Sequence, residues 1–172
     1  FEAAIDFLEK KLLKFKSSTR TAANLAKALA LKLSSQIPVI YSSGILKSVG
    51  QRVKTQFNEN SKSFSFHEVL PELDHNSVLG YRHPRANLFV VSLESAFDHA
   101  RVTKRQNITC EVMRKEKVKF ERVKFVPSQG EIAEILTMVL FGDFVSYYLA
   151  ILNGENPSSI DNINYLKNEL GR

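Results

Sequence analysis

The chain has 172 residues, 44% of them hydrophobic and 24% charged, and carries a formal net charge of +6. That length and balance fit one ordinary domain with its own core and exclude a disordered or low-complexity chain. No run of about 18 apolar residues stands out, so no membrane-spanning helix is expected. The positive charge would attract an anionic partner, either a metabolite or nucleic acid. Its one dense basic run, residues 114–124, alternates with apolar residues as the solvent face of a strand does. That spacing argues against a nucleic-acid surface. Cys110 is the single cysteine, forms no internal disulfide and fits a reducing cytoplasm. The chain starts at Phe1 rather than Met, with no signal-peptide pattern, and reads as processed or as a piece of a longer chain.

Apolar spacing predicts a helix over about 2–16, broken at Ser17-Ser18-Thr19, and a second over about 21–34. Pro38-Val39-Ile40-Tyr41 reads as a buried strand ending in the turn Ser42-Ser43-Gly44. Ile45, Val49, Val53 and Phe57 recur every four residues and predict a helix to about Asn60. A strand follows over Phe64 to about Leu70, then a short helix from about Glu72 to Leu79. Residues 87–93, 107–112 and 120–125 read as three more strands, with a helix over about 95–105 between the first two. A long helix is expected from Glu131 to Leu152, disturbed at Gly142 and stopped at Asn153-Gly154. Asn156 is expected to cap a last helix with Pro157 at its first position, running to about Leu170. Strands alternating with helices predict an α/β fold, a five-stranded parallel sheet of flavodoxin-like type flanked by helices on both faces.

Five places could carry chemistry. Ser42, Ser43 and Gly44 join a strand to a helix, where backbone N–H groups and hydroxyls can take a phosphate or simply turn the chain. Glu59 lies two residues past the apolar stripe of its helix, either solvated or available as a base. His75, in Pro71-Glu72-Leu73-Asp74-His75-Asn76, follows the C-terminal end of a strand, the edge where open α/β sheets collect ligands. A strand of roughly 20 Å, at about 3.3 Å per residue, separates Glu59 from His75. Two acid–base groups so placed are expected to serve different sites, shared between subunits or domains. Lys167, four residues after Ile163, borders the apolar stripe of the last helix and either snorkels to water or points into a cleft. The cluster Arg82-His83-Pro84-Arg85 reads as a solvated loop. His67, His75 and His83 lack the spacing of metal ligands and have no cysteine pair beside them, so no metal is expected.

Taken in order, Ile37-Pro38-Val39-Ile40, the run from Arg52-Val53-Lys54 into Phe57-Asn58-Glu59-Asn60-Ser61-Lys62, the Pro71–Asn76 segment, and Asn156-Pro157 with Ile160-Asp161 leading to Leu166-Lys167 resemble the C-terminal half of the bifunctional phosphoglucose/phosphomannose isomerases. That family is built from two sugar-isomerase (SIS) domains. The resemblance makes residues 36–172 the C-terminal SIS domain and likens residues 1–35 to the connection before it. It implies aldose–ketose isomerisation of a hexose 6-phosphate, glucose 6-phosphate or mannose 6-phosphate to fructose 6-phosphate, without a metal or organic cofactor. It implies Glu59 as catalytic base, His75 as a ring-opening histidine given to the neighbouring subunit of a homodimer, and Lys167 as the lysine of the terminal helix. The family's main phosphate-binding Ser/Thr loop and an arginine beside the reacting carbons belong to the first SIS domain, which is absent from these 172 residues. The chain alone is therefore expected to be a poor isomerase. The alternative reading is a non-catalytic SIS module that binds sugar phosphate at Ser42, Ser43 and Gly44 or serves subunit assembly.

Overall fold

The fold is taken from a computed structural model that describes residues 2–84 and 86–171. In chain order its elements are α1 (Glu2–Phe15), α2 (Leu25–Leu33), β1 (Ile37–Ser42), α3 (Lys47–Glu59), β2 (Phe66–Val69), β3 (Leu88–Ser95), α4 (Ala100–Lys115), β4 (Lys119–Phe125), α5 (Glu131–Asn153) and α6 (Asp161–Leu170). The four strands pair in parallel in the order β2-β1-β3-β4. Four strands replace the expected five because residues 107–112 lie inside α4. Their β-branched residues suggested a strand, yet Gln106, Thr109, Cys110 and Met113 are buried at helical spacing.

Alternate residues of the two central strands feed two cores, as a sheet covered on both faces requires. Ile40, Phe89, Val91 and Leu93 face the larger one, with α2, α3 and α5. Val39, Tyr41 and Val90 face the smaller one, with Leu73, Tyr81, Cys110 and Met113. Phe15, Ala26, Leu29 and Leu33 lie in the larger core, so residues 1–35 supply helices that pack directly against α5.

Helix α2 begins at Leu25 because Asn24 caps it. The Asn24 side-chain oxygen accepts from the N–H groups of Ala26 and Lys27, both at 3.1 Å, while its amide donates to the carbonyls of Phe15 and Lys16. The expected helix over 21–24 is instead a single 3₁₀ turn. Residues 72–82 form two 3₁₀ turns, Glu72–His75 and Ser77–Arg82, in place of the short α-helix. Arg85 of the basic cluster lies outside the described residues.

The 23-residue α5 is long and apolar enough by composition to cross a membrane, contrary to the sequence expectation, and half of that stretch is buried inside the fold. It is the central core helix, covered by α1, α2 and α3. Gly142 does not disturb it. A Cβ there would come within 2.5 Å of a Val53 methyl, so this glycine lets α3 and α5 approach closely. Gly154, at φ +71°, supplies the left-handed cap that ends α5.

The last helix departs furthest from expectation. It starts at Asp161, and Asn156 instead makes a local turn, its side-chain oxygen accepting from the Ser158 N–H at 3.0 Å. None of its residues is buried. Ile163, Leu166 and Leu170, expected as a buried stripe, are 42%, 58% and 86% exposed. The stripe exists as a pattern, but none of the described residues covers it.

Candidate active site

Because β1 and β2 are parallel, α3 must run back between them, so its C-terminus lies at the N-terminal edge of the sheet. Glu59 is the last residue of α3 and is exposed. Four links to α5 fix that end. Arg52 pairs with Asp143 at 3.0 Å, Gly142 packs on Val53, Asn60 donates to Ser146 Oγ at 2.8 Å, and Asn153 donates to the Ser61 carbonyl at 2.8 Å. Glu59 thus stands on a braced helix end, at the wall of an open cleft of about 600 Å³.

Asn58, Glu59 and Phe64 line one side of this cleft, and Glu155, Ser159 and Ile163 the other. Lys62 does not neutralise the Glu59 carboxylate. Its ammonium donates to the Glu59 and Ser159 main-chain carbonyls, the latter at 2.7 Å, tying the end of α3 to the segment before α6. Asp161, also on the cleft, accepts from Ser159 Oγ at 2.7 Å. Three carboxylates and one committed lysine make a poor phosphate site but leave Glu59 free to take a proton from an uncharged part of a substrate. Among the described residues the Glu59 carboxylate has no hydrogen-bond partner.

Lys167 is exposed and lies one turn beyond Ile163 on the same side of α6, outside the cleft lining. His75 is not in this region. After β2 the chain reaches the opposite edge of the sheet, where the first 3₁₀ turn presents His75 to solvent. The thickness of the sheet region, set by α3 at about 20 Å for 13 residues rising 1.5 Å each, separates the two groups. The structure therefore brings Glu59 close to the start of α6, and keeps His75 away from both.

Ser42, Ser43 and Gly44 lie at the C-terminal end of β1, next to that of β3, where the strand order reverses and α/β sheets usually bind ligands. Here both hydroxyls turn inward. Ser42 Oγ lies 2.8 Å from His67 Nε2, while His67 Nδ1 lies 3.2 Å from the Gln51 side-chain oxygen. Gln51 can only accept through that oxygen, so Nδ1 carries the proton and Ser42 donates to Nε2. Burial, and then the charge of Lys47, hold the His67 pKa below its ordinary value. Ser43 donates to Asp98 Oδ2 at 3.0 Å, and the buried Gln106 amide donates to the same oxygen at 2.9 Å. Asp98 also crowds Gly44, where a Cβ would meet its other oxygen at 2.7 Å. An internal carboxylate thus already takes the Ser43 hydroxyl and crowds Gly44, and its charge disfavours a phosphate beside it.

Sequence reasoning missed several polar assemblies that bond across the fold. Beside Asp98 with Gln106, the fully buried Glu134 accepts from Ser95 Oγ and, at 2.6 Å, from the Ala96 N–H. Asp74, next to His75, accepts from Thr109 Oγ1 at 2.8 Å and pairs with Arg105 at 3.4 Å. Arg105 and Thr109 are an i, i+4 pair, a helical signal hidden by reading residues 107–112 as a strand.

Comparison with known proteins gives this arrangement a family. The model of the family described as "Bacterial phospho-glucose isomerase C-terminal SIS domain" matches residues 22–170. A bifunctional phosphoglucose/phosphomannose isomerase of Caldicellulosiruptor bescii is 35% identical over 161 residues, covering 91% of this chain and 47% of that protein. The protein of the same description from Aquifex aeolicus is 34% identical over 173 residues, covering 96% of this chain and 52% of its own length. The chain thus spans about half the length of the curated relatives it matches. A crystal structure of a glucose-6-phosphate isomerase like protein from Thermus thermophilus superposes with a TM-score of 0.74 at 18% identity, over 97% of this chain and 55% of that one, which establishes the shared SIS-type fold. This chain belongs to the family of bacterial phospho-glucose isomerase C-terminal SIS domains.

Proposed function

We propose that this chain is the C-terminal half of a hexose 6-phosphate aldose–ketose isomerase, acting on glucose 6-phosphate, mannose 6-phosphate or both, in which Glu59 is the catalytic base. The observation that carries the reading is the position of Glu59, a carboxylate without a hydrogen-bond partner among the described residues, held on a braced helix end at the mouth of a cleft. Isomerisation moves a proton from C2 to C1 of the open-chain aldose through an enediol, with no net change in oxidation state. A single carboxylate that takes the proton from one carbon and returns it to the next suffices for that transfer. His75 and Lys167 supply the proton exchanges at the ring oxygen and the C1 hydroxyl that open the sugar.

The same geometry supports a shared site. His75 faces solvent at the opposite edge from Glu59, and the α6 stripe is bare, so each is completed by something outside these residues. A homodimer of two-domain subunits accounts for both, with His75 crossing to the neighbouring subunit's Glu59 and the preceding SIS domain supplying the phosphate site. A sugar-phosphate sensor working through Ser42, Ser43 and Gly44 is the weaker reading, because their surroundings already hold Asp98.

The test is Glu59→Gln in the full-length protein, assayed for fructose 6-phosphate conversion. Loss of a general base should lower kcat by about 10²-fold or more with the fold intact. Undiminished turnover would remove Glu59 from the chemistry.

A further inference from the structure

Among the described residues the ring of His75 has no partner, yet the turn that carries it is held firmly. Leu73, two residues before, is fully buried in the smaller core. Asp74, its immediate neighbour, reaches α4, where Oδ1 accepts from Thr109 Oγ1 at 2.8 Å and Oδ2 pairs with Arg105 Nη1 at 3.4 Å. Thr109 donates to the Arg105 main-chain carbonyl as well, at 3.0 Å, an alternative position for its single proton. On the other side, Asn76 donates to the Glu72 carboxylate and accepts from the Ser77 N–H, closing the turn on itself. A one-turn 3₁₀ segment has little stiffness of its own, so its orientation is set by what its side chains grip. Its side-chain hydrogen bonds to α4 both come from the Asp74 carboxylate, beside the Leu73 packing in the core.

We propose that Asp74, held by Arg105 and Thr109 of α4, is the positioning residue for His75. This rests on the reading of His75 as a proton-transfer group. A histidine that reaches a site outside its own subunit must be presented from a fixed base, because every degree of freedom in the turn is amplified at the ring. The Asp74 carboxylate sits one residue from the ring and joins the turn to a 16-residue helix. Removing the grip leaves His75 chemically intact and displaced, and a misplacement of about 1 Å can cost on the order of 10²-fold in rate.

The test uses the full-length protein with Asp74→Asn, Thr109→Val and Thr109→Ser, each alone and combined with His75→Gln. Asp74→Asn and Thr109→Val should lower kcat roughly tenfold, with KM unchanged, within the range of such misplacement. Thr109→Ser, which keeps the hydroxyl, should restore most of the rate. In the His75→Gln background neither substitution should cost anything further, because there is no longer a ring to position. If the losses multiply in that background, the cluster supports the fold generally and the proposal fails. Full activity of folded Asp74→Asn and Thr109→Val also overturns it, and should Asp74→Asn not fold, the two Thr109 variants decide. If His75→Gln alone is fully active, the catalytic reading of His75 falls first, and the positioning role falls with it.

Discussion

At the scale of single residues, the polar groups that the sequence could not assign are those that bond across the fold. His67 is the case with a pH signature. It binds Ser42 in its neutral form, and its folded pKa lies below the ordinary 6.5, with burial the main cause and Lys47 the second. The unfolded chain therefore takes up this proton more readily than the folded one. The stability that His67 contributes is complete above about pH 6.5 and is lost as pH falls through and below that value. Thermal unfolding followed from about pH 7.5 down to 5.5 should show the midpoint falling, and His67→Gln should flatten the fall. Equal slopes in the two proteins would assign the acid sensitivity elsewhere. The loop beside it makes a second prediction. With Asp98 accepting from Ser43 and Gln106, inorganic phosphate at millimolar concentration should leave the amide NMR signals of residues 42–46 unmoved. Shifts confined to those residues would restore the loop as an anion site. Glu59 and His75 were legible as candidates because each follows a regular element at a definite offset. Asp98 and Glu134 were not, since little local marks a carboxylate whose side-chain partners lie 8 to 55 residues away.

At the scale of elements, glycine placement explains why α3 and α5 hold the Glu59 end in one position. Val53 is β-branched and stiff, and it occupies the space a side chain at Gly142 would need. Gly142→Ala should destabilise the chain by about 1–3 kcal/mol through overpacking, in spite of alanine's better helix propensity. A denaturation midpoint equal to or above the parent's would show that the two helices separate at little cost. Most of the apolar surface of α5 is covered by α1, α2 and α3 of the same chain, leaving Ile132, Tyr147, Ile151 and Leu152 exposed. Periodicity alone identifies an apolar face but not its partner, and α6 illustrates the same limit from the other side. Its spacing is that of a docked helix, while its first turn lines the cleft and none of its described residues is buried. The α4 error has a related origin, because Ile108, Thr109, Cys110 and Val112 favour strands locally and only the packing of Gln106 to Met113 favours the helix.

At the scale of the whole molecule, the parallel α/β architecture followed from the alternation of apolar runs with helical stripes. The strand count did not, because it depended on one ambiguous run. The placement of Glu59 and His75 at opposite edges of the sheet was legible from the strand separating them, and the path of α3 and β2 accounts for it. In the proposed shared site, Glu59 and His75 are each completed by groups outside this chain. That sharing is tested most directly by mixing two inactive full-length proteins, one carrying Glu59→Gln and the other His75→Gln, under conditions that exchange subunits. Each hybrid dimer would hold one site with an intact Glu59 facing an intact His75 of its partner. The account predicts recovery of activity to about a quarter of the unsubstituted protein at statistical mixing of a two-fold dimer. Mixed samples in which exchange is complete and activity stays at the level of the separate variants would contradict it.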